Sequence, residues 1–108
     1  MKLYIGGAYQ GQEELARWEN PDSMLIADFH QVVRGWLEQG LDPQEETRKL
    51  CDDHPDAVIV SDEVGSGVVP MGAENRLWRE QVGRAQCLIA QRAECVVRVI
   101  SGIGVRIK

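Results

Sequence analysis

Three apolar runs, each followed by a stretch of helical spacing, constrain this chain more than anything else in it. Leu3-Tyr4-Ile5, Met24-Leu25-Ile26-Ala27 and Ala57-Val58-Ile59-Val60-Ser61 lack the polar alternation of a half-solvated strand. Continuous apolar strands belong to parallel sheets whose two faces are both covered by crossover helices. Val96 to Ile100 and Ile103 to Ile107 add two strands around Ser101-Gly102, a spacing that makes the last strand antiparallel. The expected class is therefore α/β, with a mostly parallel sheet, helices on both faces and an antiparallel C-terminal strand. At 108 residues the chain is read as a single domain, 1–108.

The helices carry their own punctuation. Phe29, Val32, Val33, Trp36 and Leu37 fall at helical spacing, and Gly40 suits the position that ends a helix. Asp42-Pro43-Gln44-Glu45 has a capping aspartate, proline at the first helical position and glutamate three residues after the cap. That helix is expected to stop before Pro55. The longest helix spans roughly Ala73 to Ala93, with Trp78, Val82, Ala85 and Ile89 as its apolar stripe. Gly83 in its middle costs about 1 kcal/mol relative to alanine, which predicts close packing or a ligand approach there.

Between the first strand and the first helix lies Gly6-Gly7-Ala8-Tyr9-Gln10-Gly11, with Gly6 and Gly11 at the spacing of the phosphate-binding pattern G-x-x-x-x-G-K-[ST]. In that pattern backbone N–H groups wrap a phosphate, the lysine reaches its outer oxygens and the hydroxyl holds magnesium. Here Gln12 stands in the lysine position and Glu13 in that of the hydroxyl. The frame of a P-loop is present without its charged working parts. Glu13 and Glu14 place anions in the first helical turn, where a carboxylate gains about 0.3–1 kcal/mol from the helix dipole. A phosphate within about 4 Å of one of them meets a repulsion of roughly 1 kcal/mol per charge pair in water, and roughly 4 at an effective dielectric of 20. Gly6, Gly7, Gly11, Gln12 and Glu13 are the candidate nucleotide contacts, and ATP or GTP with magnesium is expected to bind weakly. The same residues also fit a plain glycine turn joining strand to helix.

Ligands of parallel sheets collect outside the carboxyl ends of the strands. The glycine turn after the first strand, Asp28 after the second and Asp62-Glu63 after the third converge at that end. Asp62 to Gly72 reads as an irregular, glycine-rich loop.

Composition narrows the partners. A net charge of −5 and a pI near 5.0 argue against nucleic acid or an anionic membrane, both of which call for a basic patch. Cys51, Cys87 and Cys95 form no C-x-x-C pair and are odd in number, so they are expected as small buried hydrophobes in a reducing cytoplasm. The apolar start is too short for a secretory signal, and no run approaches a membrane span.

The segment Ser61-Asp62-Glu63-Val64-Gly65-Ser66-Gly67-Val68-Val69-Pro70 resembles a distinctive loop of the adenosylcobinamide kinase and adenosylcobinamide-phosphate guanylyltransferase family. The similarity continues through Arg76-Leu77-Trp78-Arg79-Glu80, Gly83-Arg84, Ser101-Gly102-Ile103 and Lys108, and Tyr4-Ile5-Gly6-Gly7-Ala8 looks like that family's P-loop strand and turn. The resemblance implies a P-loop NTPase-like fold acting late in cobalamin assembly, with a kinase reaction on adenosylcobinamide and a guanylyl transfer through a histidine. It also implies that Asp28 stands at the Walker B acidic position, making it the candidate for magnesium. The chain departs from the pattern at Gln12 and Glu13. It departs again between the first helix and the Walker B strand, where Glu19 to Ser23 replace a long insertion bearing the guanylylated histidine.

Asp28 and Glu63 are the candidate catalytic residues: a carboxylate at Glu63 beside Asp28 would serve magnesium or accept the proton of a substrate hydroxyl. Gly65 and Gly67 would let a ligand approach the backbone closely. Asp62 has a plainer reading as a turn cap, His30 as a surface or cap histidine, and His54 as part of a solvated acidic turn. Arg76, Arg79 and Arg84 are placed to reach phosphates or to pair with Glu74 and Glu80. The preferred reading is a shortened, non-catalytic relative that binds a nucleotide or cobinamide-type molecule in a binding or regulatory role. The alternatives are an active adenosylcobinamide phosphotransferase using ATP or GTP, and a structural subunit. A homo-oligomer is expected, with Trp36, Trp78 and the long helix as contact candidates.

Overall fold

The computed structural model describes residues 1–64 and 72–108, so Gly65 and Gly67 lie outside the described residues. The elements run β1 (Lys2–Gly6), α1 (Gln12–Glu19), β2 (Leu25–Ile26), α2 (Phe29–Glu38), α3 (Pro43–Asp53), β3 (Val58–Asp62), α4 (Ala73–Arg92), β4 (Cys95–Ile100) and β5 (Ile103–Arg106). They form one sheet in the order β2-β3-β1-β4-β5. β1 pairs in parallel with β3 and β4, β2 pairs in parallel with β3, and β5 runs antiparallel to β4. The expected mostly parallel sheet with an antiparallel last strand is what the chain forms.

The runs of β1 and β3 are buried on both faces, as their lack of alternation demands, whereas the strand expected over Met24 to Ala27 narrows to the two partly buried residues of β2, with Met24 exposed. On one face Leu3, Ile59 and Val96 pack under Phe29 and Val33 of α2, Cys51 of α3, and Val82, Ala85 and Ile89 of α4. On the other, Tyr4, Val58, Val60, Val97 and Val99 pack against Ala16 of α1. Phe29, Leu3, Ile59 and Ile89 are wholly enclosed, each contributing about 1.5–3 kcal/mol through burial.

Local signals set the helix ends. Asp42 caps α3 by accepting from Gln44 N at 3.0 Å, with Pro43 in the first turn, and α3 ends at Asp53 ahead of Pro55. Gly40 closes α2 at φ +74°.

Four expectations need correction. Gly83 is exposed, and a side chain there would meet nothing within 4 Å among the described residues. Only Cys51 of the cysteines is buried; Cys87 is exposed and Cys95 intermediate. Trp36 and Trp78 are committed to packing within the fold, Trp36 edge-on to Phe29 and Trp78 donating from Nε1 to His30 O at 2.7 Å. His30 is buried rather than superficial.

Candidate functional site

Parallel pairing of β1 with β3 sets Gly6 beside Asp62, and pairing with β4 sets Gly6 beside Val99. A Cβ on Gly6 would lie 2.5 Å from Val99 O, so only glycine lets the chain turn out of the sheet there. The turn then reaches Gly11 at φ +87°, immediately before α1. It is tied to the β4–β5 turn: Ser101 N donates to Gln10 Oε1 and Gly102 N to Gln10 O, each at 2.7 Å. These segments, with Asp28, the first turn of α2 and the end of β3, line an open cleft of about 960 Å³ at the carboxyl end of the sheet.

Gln12 closes the floor of this cleft. Its side chain is buried, and Nε2 donates to Gly6 O at 3.2 Å, Gly7 O at 3.1 Å and Asp62 Oδ1 at 2.8 Å. The glycine turn is thus cross-linked by a neutral amide at the position that a phosphate-binding lysine would occupy. Glu13, in the hydroxyl position, pairs with Arg17 Nε at 3.1 Å, one helical turn on.

Asp62 is the acid at the centre of the arrangement. Its N–H donates to His30 Nδ1 at 3.2 Å, Gln86 Nε2 donates to its carbonyl at 2.8 Å, and Oδ2 lies 3.5 Å from His30 Nε2. With Nδ1 accepting, the imidazole proton sits on Nε2, facing the Asp62 carboxylate. Trp78 fixes the backbone of His30, and the Arg34 guanidinium stacks on Trp78 at 4.1 Å. This packed shell holds one carboxylate in one orientation at the cleft wall.

The candidate acids part company. Asp28 lines the cleft, exposed, at the start of α2; at φ 52° it makes no side-chain cap, so its carboxylate is free to meet a ligand. Glu63 does not line the cleft; its N–H donates to Gly6 O at 2.8 Å and its carboxylate lies 3.5 Å from Arg98 Nε. Asp62 and His30, rather than Glu63, join Asp28 there. Of the arginines considered for phosphate, Arg84 pairs with Glu80 at 2.9 Å and Arg79 donates to Val64 O at 3.0 Å.

Glu13, Glu14, Asp28 and Asp62 all line the cleft, and among the described residues no lysine or arginine does. The described residues contain no cluster of three or more metal-ligating side chains, and none of their helices is long and apolar enough to cross a membrane.

Two signals for the missed residues were present. His30 falls in phase with Val33 and Leu37 on the apolar stripe of α2, and Asp62 ends an apolar strand. That β3 lies directly beside β1 is the part no local pattern contains.

A glycine turn at the carboxyl end of a central parallel strand, opening a helix at a crevice, defines a P-loop-type α/β protein. The family model of CobU, cobinamide kinase / cobinamide phosphate guanyltransferase, matches residues 12–107, and the chain belongs to this family. Two curated relatives, each a bifunctional adenosylcobalamin biosynthesis protein CobU, come from Salmonella typhimurium and from Escherichia coli strain K12. Each is 45% identical over 51 residues, a stretch that takes in 47% of this chain and 28% of the relative.

Proposed function

We propose that this chain is a shortened, non-catalytic relative of the cobinamide kinase / guanyltransferase enzymes, binding a small molecule of cobamide metabolism in a binding or regulatory role. The observation that carries this reading is the Gln12 amide, which spends its hydrogens on Gly6 O, Gly7 O and Asp62 Oδ1. A triphosphate placed there would have no lysine to neutralise it and would face the Asp62 carboxylate. Phosphoryl transfer relies almost wholly on positioning and on neutralising charge, and this floor supplies neither.

The competing reading is an active phosphotransferase in which Asp62, oriented by His30 and Gln86, accepts the proton of a cobinamide hydroxyl. Calorimetry with magnesium ATP, magnesium GTP and adenosylcobinamide separates the two. The expected result is no saturation by either triphosphate at micromolar concentration, measurable binding of adenosylcobinamide, and no phosphorylated or guanylylated product. Tight triphosphate binding or a phosphorylated cobinamide would overturn the proposal. The double change Gln12→Lys with Glu13→Ser restores a cation and removes an anion, and is expected to strengthen triphosphate binding about tenfold or more. No gain would mean that the glycine turn no longer forms a phosphate cradle.

A further inference from the structure

Two side chains on the flank of α1 beside β5 have no partner within the described fold. Glu13 pairs with Arg17, but Glu14 forms no ion pair among the described residues. Trp18, one helical turn further on, is 82% exposed. A Cβ on Gly104 would lie 2.7 Å from Leu15 Cδ2, so Leu15 leans onto β5. Trp18 and Glu14 follow Leu15 around the helix on the side away from buried Ala16, which is the side of the sheet edge. A Cβ on Gly11 would lie 3.8 Å from Glu14 Oε2 and 3.4 Å from Gly102 Cα, which sets the Glu14 carboxylate beside the β4–β5 turn.

The open edge at β5 has a definite register for a partner strand. Ile107 N donates to Val96 O at 2.8 Å, so Ile103, Val105 and Ile107 direct their backbone groups to β4, while Gly104 and Arg106 direct theirs outward. Antiparallel pairing with a second copy about Val105 sets Gly104 of each chain against Arg106 of the other. The outward groups then meet twice, once on each side of the two-fold axis.

The side chain that this pairing delivers is long and cationic. Directly opposite residues share a face, and Gly104 faces α1, so Arg106 of the second copy lies on the α1 side, next to the bare Gly104. In its own chain the Arg106 guanidinium donates to Lys108 O at 2.7 Å and Glu94 O at 3.3 Å, and is thus drawn along β5 toward the strand's end. Antiparallel pairing turns that end toward Gly102 of the first copy, a residue that lines the cleft. Glu14 lines the cleft at the same rim.

We infer that the β5 edge and the flank of α1 form an interface for a second copy of this chain, whose Arg106 pairs with Glu14 and covers Trp18 at the rim of the cleft. A cleft whose described lining includes Glu13, Glu14, Asp28 and Asp62 but no lysine or arginine thereby takes a cation from the second copy. Nothing in this depends on what the cleft binds, so a failure of the ligand calorimetry leaves it standing.

The test is a charge exchange across the interface, followed by light scattering. The parent is expected to reach twice 12.1 kDa as concentration rises. Arg106→Glu opposes two carboxylates at each of the symmetric contacts and Glu14→Arg opposes two guanidinium groups, and each is expected to weaken the dimer about tenfold or more. In an equal mixture of the two variants every contact again joins opposite charges, so a mixed dimer is expected to recover the parental affinity to within about threefold. That recovery cannot come from misfolded chains. Tryptophan fluorescence is expected to become harder to quench with acrylamide as the dimer forms, a change that Trp18→Phe removes. A parent that stays at 12.1 kDa at every concentration, single variants that dimerise as the parent does, a mixture no tighter than either variant alone, or quenching that ignores concentration would each overturn the inference.

Discussion

Tyr4 illustrates how a single buried polar group couples two elements and makes stability depend on pH. It sits in β1 under α1, donating from its hydroxyl to Glu19 Oε1 at 2.7 Å and accepting from Asn20 Nδ2 at 3.0 Å. Burial first, and then the bond to Glu19, push the phenol from its ordinary 10.0 up to about 12. A folded-state value above the unfolded one means that the folded chain holds the proton more tightly. Its contribution is complete below about pH 10 and is lost as pH rises through about 12. Tyr4→Phe should cost about 1–3 kcal/mol at neutral pH, because Glu19 and Asn20 lose a partner. Urea midpoints measured up to pH 12 should show the gap between the two proteins narrowing above pH 10, and a constant gap would contradict this account. Much at the residue scale was legible from spacing alone: Gln12 and Glu13 could be seen to replace a lysine and a hydroxyl. The three acceptors of the Gln12 amide could not, since Asp62 meets it only through the side-by-side pairing of β1 and β3.

Elements were legible where chemistry is local. Asp42 and Pro43 start α3, and Gly40 ends α2, because a cap or a positive φ is decided within a few residues. Gly83 misled for the same reason, since a mid-helix glycine marks close packing only where a neighbour approaches it, and among the described residues the structure gives it none within 4 Å. It lies on the exposed side of α4, while Val82 and Ala85 face the core. Gly83→Ala therefore adds a methyl to open space and removes backbone freedom from the unfolded chain. The expected gain is about 1 kcal/mol, which in a domain of this size raises the melting temperature by roughly 4–8 °C. A lower melting temperature would mean that something does approach the helix there.

At the scale of the whole molecule, the order of the strands decides which surfaces are left over, and that order was the least legible property of the chain. The expected contact candidates Trp36 and Trp78 are used inside the fold, whereas the β4–β5 hairpin leaves Ile100, Ile103, Val105 and Ile107 each more than half exposed. Ile103, Val105 and Ile107 alternate along the chain and so share one side of the hairpin. β5 is also an edge, and an edge strand keeps every second N–H and C=O unpaired. The opposite edge, β2, has only two residues, too few to template a partner. Pairing of β5 with its copy is self-complementary: run antiparallel about Val105, it sets Ile103 against the partner copy's equivalent of Ile107 and Gly104 against that of Arg106, with no like charges opposed. Such a contact is two-fold and closes on itself, so it gives a dimer rather than a filament. Light scattering over a range of concentrations should therefore report a mass above the 12.1 kDa of one chain. Val105→Lys puts two ammonium groups face to face at the centre of that pairing and should return the protein to 12.1 kDa. A stable 12.1 kDa species in the parent at every concentration would show that the hairpin edge stays unpaired.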